Sequence, residues 1–268
     1  MTDAALVRVL QRQSKGRVGL LAYDIVRQGG AAIRGAMERL RSDGVRLAIV
    51  DALTDADLTA IGEACADLKL ITGASGLALG LPENFRRAGL LQRKTAGALP
   101  AIEGHAAVLA GSCSAATLRQ VEEMKRQCES FEIDPIELRS RDDVVERALQ
   151  WARPRLGARP LLVYSTADPA SVEKAQAALG RERAGDLIEQ AMGNIARGLV
   201  ALGVRRLIVA GGETSGAVVS ALGVEGLRIG SEIDPGVPWT ASLGDPALAF
   251  ALKSGNFGAD DFFLKAFA

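Results

Sequence analysis

Short apolar runs alternate with longer amphipathic segments along the chain, and this alternation restricts the possible folds more than any other feature. The apolar run at residues 18–23 precedes an amphipathic segment at 31–44, and a second apolar run follows at 45–52. The amphipathic segment carries its apolar side chains on one helical stripe. Continuous apolar runs between such helices are typical of strands in a parallel sheet that helices cover on both faces. The pattern therefore predicts an α/β fold with mainly parallel sheets.

A polar stretch divides this pattern into two α/β units. Residues 82–100 are rich in polar and basic side chains and show no sustained hydrophobic period. The chain has 268 residues, which is enough for two domains of modest size. We place the boundary inside the polar stretch, so that residues 1–90 and residues 91–268 form separate domains. Each domain is expected to be a three-layer unit of sheet and helices.

Local signals predict the positions of individual elements. In the first unit, Thr54 should cap a helix, residues 68–72 should form a strand, and the Gly-rich turn at 73–76 should open another helix. In the second unit, the predicted strands are residues 106–110, 160–164, 206–210, 227–229 and 247–252. One predicted helix begins at about residue 114, and the others cover about residues 142–153, 171–178, 183–202 and 214–222.

Charge and cysteine content narrow the classes of partner. Lys and Arg number 32, as do Asp and Glu, so no basic excess favours binding to nucleic acid or to an anionic membrane. No apolar run is long enough to span a bilayer. The three cysteines and the single histidine, His105, give neither a disulfide framework nor zinc-ligand spacing. We expect a cytoplasmic protein without a metal site of its own.

Three small-residue corners, each directly after a predicted strand, are candidate ligand sites. The first corner is residues 111–114 (GSCS), the second is 211–216 (GGETSG) and the third is 253–258 (KSGNFG). Glycines let a phosphate approach the backbone, and helix N-termini supply free N–H groups. In an open parallel sheet, such corners can converge on one ligand. Lys253, at the start of the third corner, is a candidate phosphate partner. The competing interpretation is that the corners are tight turns with N-caps, and that Lys253 is an ordinary exposed lysine.

The order of these corners, together with the EIDPGVPW stretch at residues 232–239, resembles the four-carbon acid sugar kinases, a family that includes the 3-oxo-tetronate kinases. The resemblance implies that residues 91–268 are a nucleotide-binding domain that holds ATP, and Mg²⁺ is expected with the nucleotide. The implied ATP contacts are Ser112 in the first corner, with Ser114 as the alternative in register, then Gly211, Gly212, Glu213 and Thr214 in the second, and Gly255 in the third.

The first 90 residues resemble the later part of the family's substrate-binding domain, and the first part of that domain is absent. The missing part carries an Asp-rich corner that helps bind the sugar acid, so no catalytic base can be named. The remaining substrate-side candidates are Ser75 and Gly76 and, less directly, Asp24, Asp51 and Thr72. Each of the side chains could equally cap or end a secondary-structure element.

Two functions follow from the resemblance. The first is ATP-dependent phosphorylation of a 3-oxo-tetronate-like four-carbon sugar acid at a hydroxyl group. The alternative is a catalytically incomplete fragment that binds ATP without turnover. A dehydrogenase would suit the fold class, but neither a G-x-G-x-x-G fingerprint nor a Walker A motif is present. Because an incomplete parallel sheet exposes an edge and apolar faces, we also expect a homo-oligomer.

Overall fold

The computed structural model describes residues 3–92, 98–141, 143–165, 177 and 180–268. The chain divides into two compact units, Met1–Thr95 and Ala96–Ala268. The helix predicted at 171–178 lies outside the described residues, apart from residue 177.

The N-terminal unit is built around a two-stranded parallel sheet. Its strands are β1 (Val18–Leu21) and β2 (Leu47–Val50), which pair in register along their whole length. The helices of this unit are α1 (Leu6–Gln11), α2 (Tyr23–Val26), α3 (Gly30–Ser42), α4 (Asp55–Ala64) and α5 (Pro82–Arg87), with a 3₁₀ helix at Ser75–Gly80. The buried residues of its core are Leu21, Val26, Ile33, Ala36, Ile61, Ala64 and Cys65.

Helix α4 begins at the residue that the sequence predicted. The Thr54 side chain accepts the backbone N–H of Asp57 at 3.3 Å, and Asp57 Oδ2 accepts the backbone N–H of Thr54 at 2.8 Å, which completes a capping box. Asp57 Oδ2 also accepts the N–H of Leu53 at 3.0 Å. This backbone hydrogen bond lowers the pKa of the Asp57 carboxyl, against the opposing effect of burial.

The strand predicted at residues 68–72 is wrong, because these residues form an irregular segment. Leu68 is 48% exposed and Leu70 is 85% exposed, so neither side chain is covered by another layer. A short apolar run forms a strand only where a neighbouring strand pairs with its backbone. The Gly-rich turn at 73–76 leads into the 3₁₀ helix and not into an α-helix.

The C-terminal unit contains a seven-stranded sheet in the order β4-β5-β3-β6-β9-β8-β7 within the described residues. Its strands are β3 (His105–Ala110), β4 (Ser130–Glu132), β5 (Leu161–Tyr164), β6 (Val204–Ala210), β7 (Leu227–Asp234), β8 (Val237–Ser242) and β9 (Ala249–Lys253). In this order, the neighbouring strands β4, β5, β3, β6 and β9 are parallel, whereas β8 pairs antiparallel with both β9 and β7. The prediction of an α/β fold with a mainly parallel sheet is confirmed.

Helices cover both faces of this sheet. They are α6 (Ala115–Lys125), α7 (Pro135–Ser140), α8 (Val144–Ala152), α9 (Arg181–Ala201), α10 (Gly212–Ala221) and α11 (Phe262–Lys265), with a 3₁₀ turn at Arg153–Arg155. Successive residues of β6 alternate between two apolar clusters: Leu207 and Val209 pack with residues of α8, α9 and α10, whereas Ile208 and Ala210 pack with residues of α6 and α11. The C-terminal unit therefore has three layers.

Sequence reasoning missed the hairpin of β7 and β8. Only residues 227–229 were predicted as a strand, but β7 continues to Asp234 and β8 follows after a turn in which Gly236 has a φ of +79°. β7 is an edge strand, and most of its side chains are partly or fully exposed, which removes the apolar run used for prediction. The short strand β4 and helix α7 were missed as well.

Candidate functional site

The order of the strands defines one place in the C-terminal unit where a ligand is expected. After β3 the chain passes through α6 to β4 and β5 on one side of the sheet, whereas after β6 it passes through α10 to the strands on the other side. The two helices also lie on opposite faces. The carboxyl ends of β3 and β6 therefore flank a topological switch point, where open α/β sheets bind ligands.

The first and third corners meet at this point. The Ser114 hydroxyl donates to the carbonyl oxygen of Gly255 at 2.5 Å, and the Thr117 hydroxyl donates to the same oxygen at 2.9 Å. A Cβ atom at Gly255 would lie 2.5 Å from Ser112 Oγ and 2.8 Å from Ser114 Oγ, so only glycine fits there. Ser114 is the N-cap of α6 and accepts the backbone N–H of Thr117, and Ser112 Oγ accepts the backbone N–H of Ser114 at 3.2 Å.

The second corner lies against the other two. Gly211 has a φ of +126°, and its N–H donates to the carbonyl of Lys253 at 2.9 Å. The buried Thr214 side chain packs against the glycines: a Cβ atom at Gly211 would lie 2.9 Å from Thr214 Oγ1. Gly212 and Glu213 are exposed in the first turn of α10, and the space beside Gly212 is open. The N–H groups of this first turn have no acceptor within the helix, so they suit an anion.

Lys253 lies beneath the corners and is 1% exposed. Its Nζ donates to Thr117 Oγ1 at 2.9 Å and to the carbonyl oxygens of Gly255 at 3.0 Å and Ser254 at 3.2 Å. Burial lowers the pKa of the ammonium group to about 8. Lys253 is therefore not a solvent-exposed lysine, and it fixes the third corner in place while adding positive potential to the site.

Sequence reasoning missed Ser165, which directly follows β5 as the three corners follow their strands. Its N–H donates at 2.8 Å to the carbonyl oxygen of Ala110, the last residue of β3, which directly precedes the first corner. The Ser165 hydroxyl is buried and bonds to none of the residues that the structure describes. Its position at a strand end was a usable signal, although no glycine accompanies it in the sequence.

The substrate-side candidates lie in the N-terminal unit. Asp51 Oδ2 accepts the backbone N–H of Tyr23 at 3.1 Å and so caps α2. Asp24 is exposed, with its carboxylate 3.5 Å from Arg27. The remaining candidates, which line one turn, are Thr72, Ser75 and Gly76: Thr72 and Ser75 are exposed and Gly76 is partly buried. In the described ranges no three His, Cys, Asp or Glu side chains are grouped to hold a metal ion.

A parallel sheet with glycine corners and a helix N-terminus at its switch point is typical of nucleotide-binding enzymes. Comparison with known families agrees. The family model for a nucleotide-binding C-terminal domain matches residues 107–263, and the model for a sugar-binding N-terminal domain matches residues 1–81. The chain belongs to the four-carbon acid sugar kinase family, which confirms the resemblance seen in its motifs.

Individual relatives match almost the entire chain. It is 57% identical over 267 residues to the 3-oxo-tetronate kinase of Burkholderia multivorans and 58% identical over 268 residues to that of Cupriavidus necator. Each alignment covers 99% of this chain and 62% of the relative, so the chain spans about three fifths of their length.

Two solved structures are similar to almost the entire chain. A protein from Salmonella typhimurium LT2 is 37% identical with a TM-score of 0.76, covering 99% of this chain and 63% of that one. A Haemophilus influenzae protein is also 37% identical, with a TM-score of 0.66 and coverage of 99% and 64%. The part of the chain that the structure describes contains no helix with the length and hydropathy of a membrane span.

Proposed function

We propose that this chain binds ATP at the three corners and acts in the ATP-dependent phosphorylation of a 3-oxo-tetronate-like four-carbon sugar acid at a hydroxyl group. The observation that carries the proposal is the meeting of the first, second and third corners at one switch point, although they are separated by up to about 140 residues in the sequence. The names of the relatives at 57–58% identity support the reaction class.

The corners fit the polyphosphate of ATP. Gly211 and Gly255 let the corners pack closely, because a side chain at either glycine would collide with Thr214 or Ser112. The space beside Gly212 is open, so a phosphate can approach the backbone there. The first-turn N–H groups of α10, at Gly212, Glu213 and Thr214, would donate to phosphate oxygens. The hydroxyl of Ser112 would donate from the opposite side, with Ser114 as the alternative.

ATP supplies the phosphoryl group, and Mg²⁺ balances the charge of its phosphates. The described residues contain no cluster of three metal ligands, so we expect Mg²⁺ to be held mainly by the phosphates.

Lys253 does not reach solvent and would act through the loop that it holds. In the N-terminal unit, Ser75 and Gly76 are proposed as contacts to the sugar acid, since they begin a 3₁₀ helix where Ser75 is exposed and Gly76 is partly exposed. We expect the protein to work in the cytoplasm.

The test compares two glycine-to-alanine variants. Gly255→Ala places a methyl group 2.5 Å from Ser112 Oγ, whereas Gly244→Ala, in a loop of the same unit, meets nothing within 4 Å. Titration calorimetry with Mg·ATP should show at least tenfold weaker binding for Gly255→Ala and unchanged binding for Gly244→Ala. Equal affinities in both variants would contradict an ATP site at the corners.

Turnover is measured separately, as ADP released in the presence of 3-oxo-tetronates. Sugar-acid-dependent ADP release supports the kinase activity of this chain. Saturable ATP binding without such release would favour the alternative, a fragment that binds the nucleotide but lacks part of the acceptor site.

A further inference from the structure

A cleft of about 460 Å³ lies between α9 and α10 in the C-terminal unit. Its volume is within the range of small-molecule sites. The residues that line it are Asp186, Glu189, Gln190, Gly193 and Asn194 of α9 and Ala217 and Ala221 of α10. The three corners do not include any of these residues, and the sequence motifs gave no indication of them.

The cleft adjoins the second corner. Its α10 side begins at Ala217, one helical turn after Glu213, which corresponds to a rise of about 6 Å along the axis. On the α9 side, Glu189 lies near enough to Glu213 for the two carboxylates to interact. Burial, followed by the charges of Glu213 and Asp186, raises the pKa of Glu189. A ligand at the corner could therefore extend directly into the cleft.

The base of the cleft is narrow and formed by small residues. A Cβ atom at Gly193 would lie 3.0 Å from the Cβ of Ala221 and 3.3 Å from the carbonyl oxygen of Ala217. The backbones of the two helices therefore approach closely here, and no large side chain fills the space above them. Such a surface suits the flat face of an aromatic ring.

The polar groups of the cleft follow a fixed order along the helices. Helix α9 leads into β6 and α10 leaves it, so both helices have their N-termini at the corner end of the sheet. Asp186 and Glu189 are therefore nearest to the corners, and Gln190 and Asn194 lie further away. Carboxylates accept hydrogen bonds from ribose hydroxyls, and side-chain amides both donate to and accept from the edges of bases. Arg197 donates to Asn194 Oδ1, which orients that amide.

We propose that the cleft between α9 and α10 binds the nucleoside part of ATP, with the ribose beside Asp186 and Glu189 and the base over Gly193, Ala217 and Ala221. The order of carboxylates, then amides and small residues, leading away from the corner, is the order of ribose and base leading away from the phosphates of a nucleotide. This inference rests on the proposed function, because it requires the polyphosphate to lie at the second corner.

The first experiment fills the cleft. Ala217→Leu adds bulk over its base, and Ala201→Leu makes the same change at an exposed position of α9 outside the cleft. Calorimetry is run with Mg·ATP and with inorganic tripolyphosphate, which has no nucleoside. Ala217→Leu should bind ATP at least tenfold more weakly than the unchanged chain does, and it should bind tripolyphosphate with the same affinity as the unchanged chain. Ala201→Leu should bind both ligands with the affinities of the unchanged chain.

The outcomes separate the two proposals. If the unchanged chain binds neither ATP nor tripolyphosphate, the proposed function fails and this inference fails with it. If the chain binds both and Ala217→Leu retains full ATP affinity, the corner site stands and the cleft assignment is overturned. Unchanged tripolyphosphate binding by Ala217→Leu also shows that the variant is folded.

A second variant tests the ribose position without adding bulk. Glu189→Gln keeps the size of the side chain and removes its charge. The unchanged chain should bind ATP about tenfold more tightly than 2′,3′-dideoxy-ATP, and this preference should fall to about twofold in Glu189→Gln. An equal preference in both proteins would overturn the assignment of Glu189 to the ribose.

Discussion

Replacing Lys253 by Met should change how the stability of the C-terminal unit depends on pH. The pKa of this buried ammonium falls from 10.5 to about 8 on folding. Between these values the unfolded chain holds a proton that the folded chain has released, so stability rises with pH across this window. A difference of about 2.5 pKa units corresponds to about 3 kcal/mol of unfolding free energy. Lys253→Met removes this contribution, because methionine does not titrate.

Urea unfolding followed by tryptophan fluorescence gives the free energy. Both tryptophans, Trp151 and Trp239, belong to the C-terminal unit, so the signal reports on the unit that contains Lys253. Between pH 8 and 10.5, the unchanged chain should gain about 3 kcal/mol relative to Lys253→Met. Other titrating groups are common to both proteins and cancel in the difference. Parallel curves for the two proteins would refute the claim that burial lowers the pKa of Lys253.

Three further predictions concern stability and oligomeric state. Gly211→Ala should destabilise the C-terminal unit by about 2–3 kcal/mol, since alanine disfavours the φ of +126° at this position and would collide with Thr214. Gly212→Ala, with open space beside it, should show no loss of unfolding free energy in the same urea assay. Thr54→Ala should cost about 1 kcal/mol and increase amide exchange in α4, whereas Thr59→Ala, which keeps the cap, should not. Light scattering after size exclusion at tens of micromolar should give a mass above that of one chain, because Leu20 and Leu47 of the two-stranded sheet are exposed; a monomer mass would contradict this.

The glycine and capping positions of the three corners could be predicted from sequence because their signals are local. Gly211 must adopt a positive φ at the start of α10, and Gly255 must leave room for the serine hydroxyls. Both requirements favour glycine, so they are visible in the sequence as glycines. Ser114 could be recognised in the same way, as a serine immediately before a helix. Such features depend on a few neighbouring residues and not on the packing of distant ones.

Other features depend on contacts that a local pattern does not contain. The burial of Lys253 results from its hydrogen bond to Thr117 in α6 and its position beside Phe263 in α11, which are far away in the sequence. The cleft depends on the close approach of α9 and α10 at Gly193, where a glycine within a helix gave no signal of its own. Conversely, residues 68–72 have the composition of a strand but lack a paired neighbour.

The central claim is that the corners form an ATP site, and titration calorimetry of the unchanged chain tests it most directly. Mg·ATP should bind saturably at one site per chain, and NAD⁺ at the same concentrations should give no binding heat. Gly212→Leu, which adds a side chain where the space is open, should abolish ATP binding while leaving the urea transition unchanged. Absence of saturable ATP binding, or unaltered ATP binding by Gly212→Leu, would contradict the assignment.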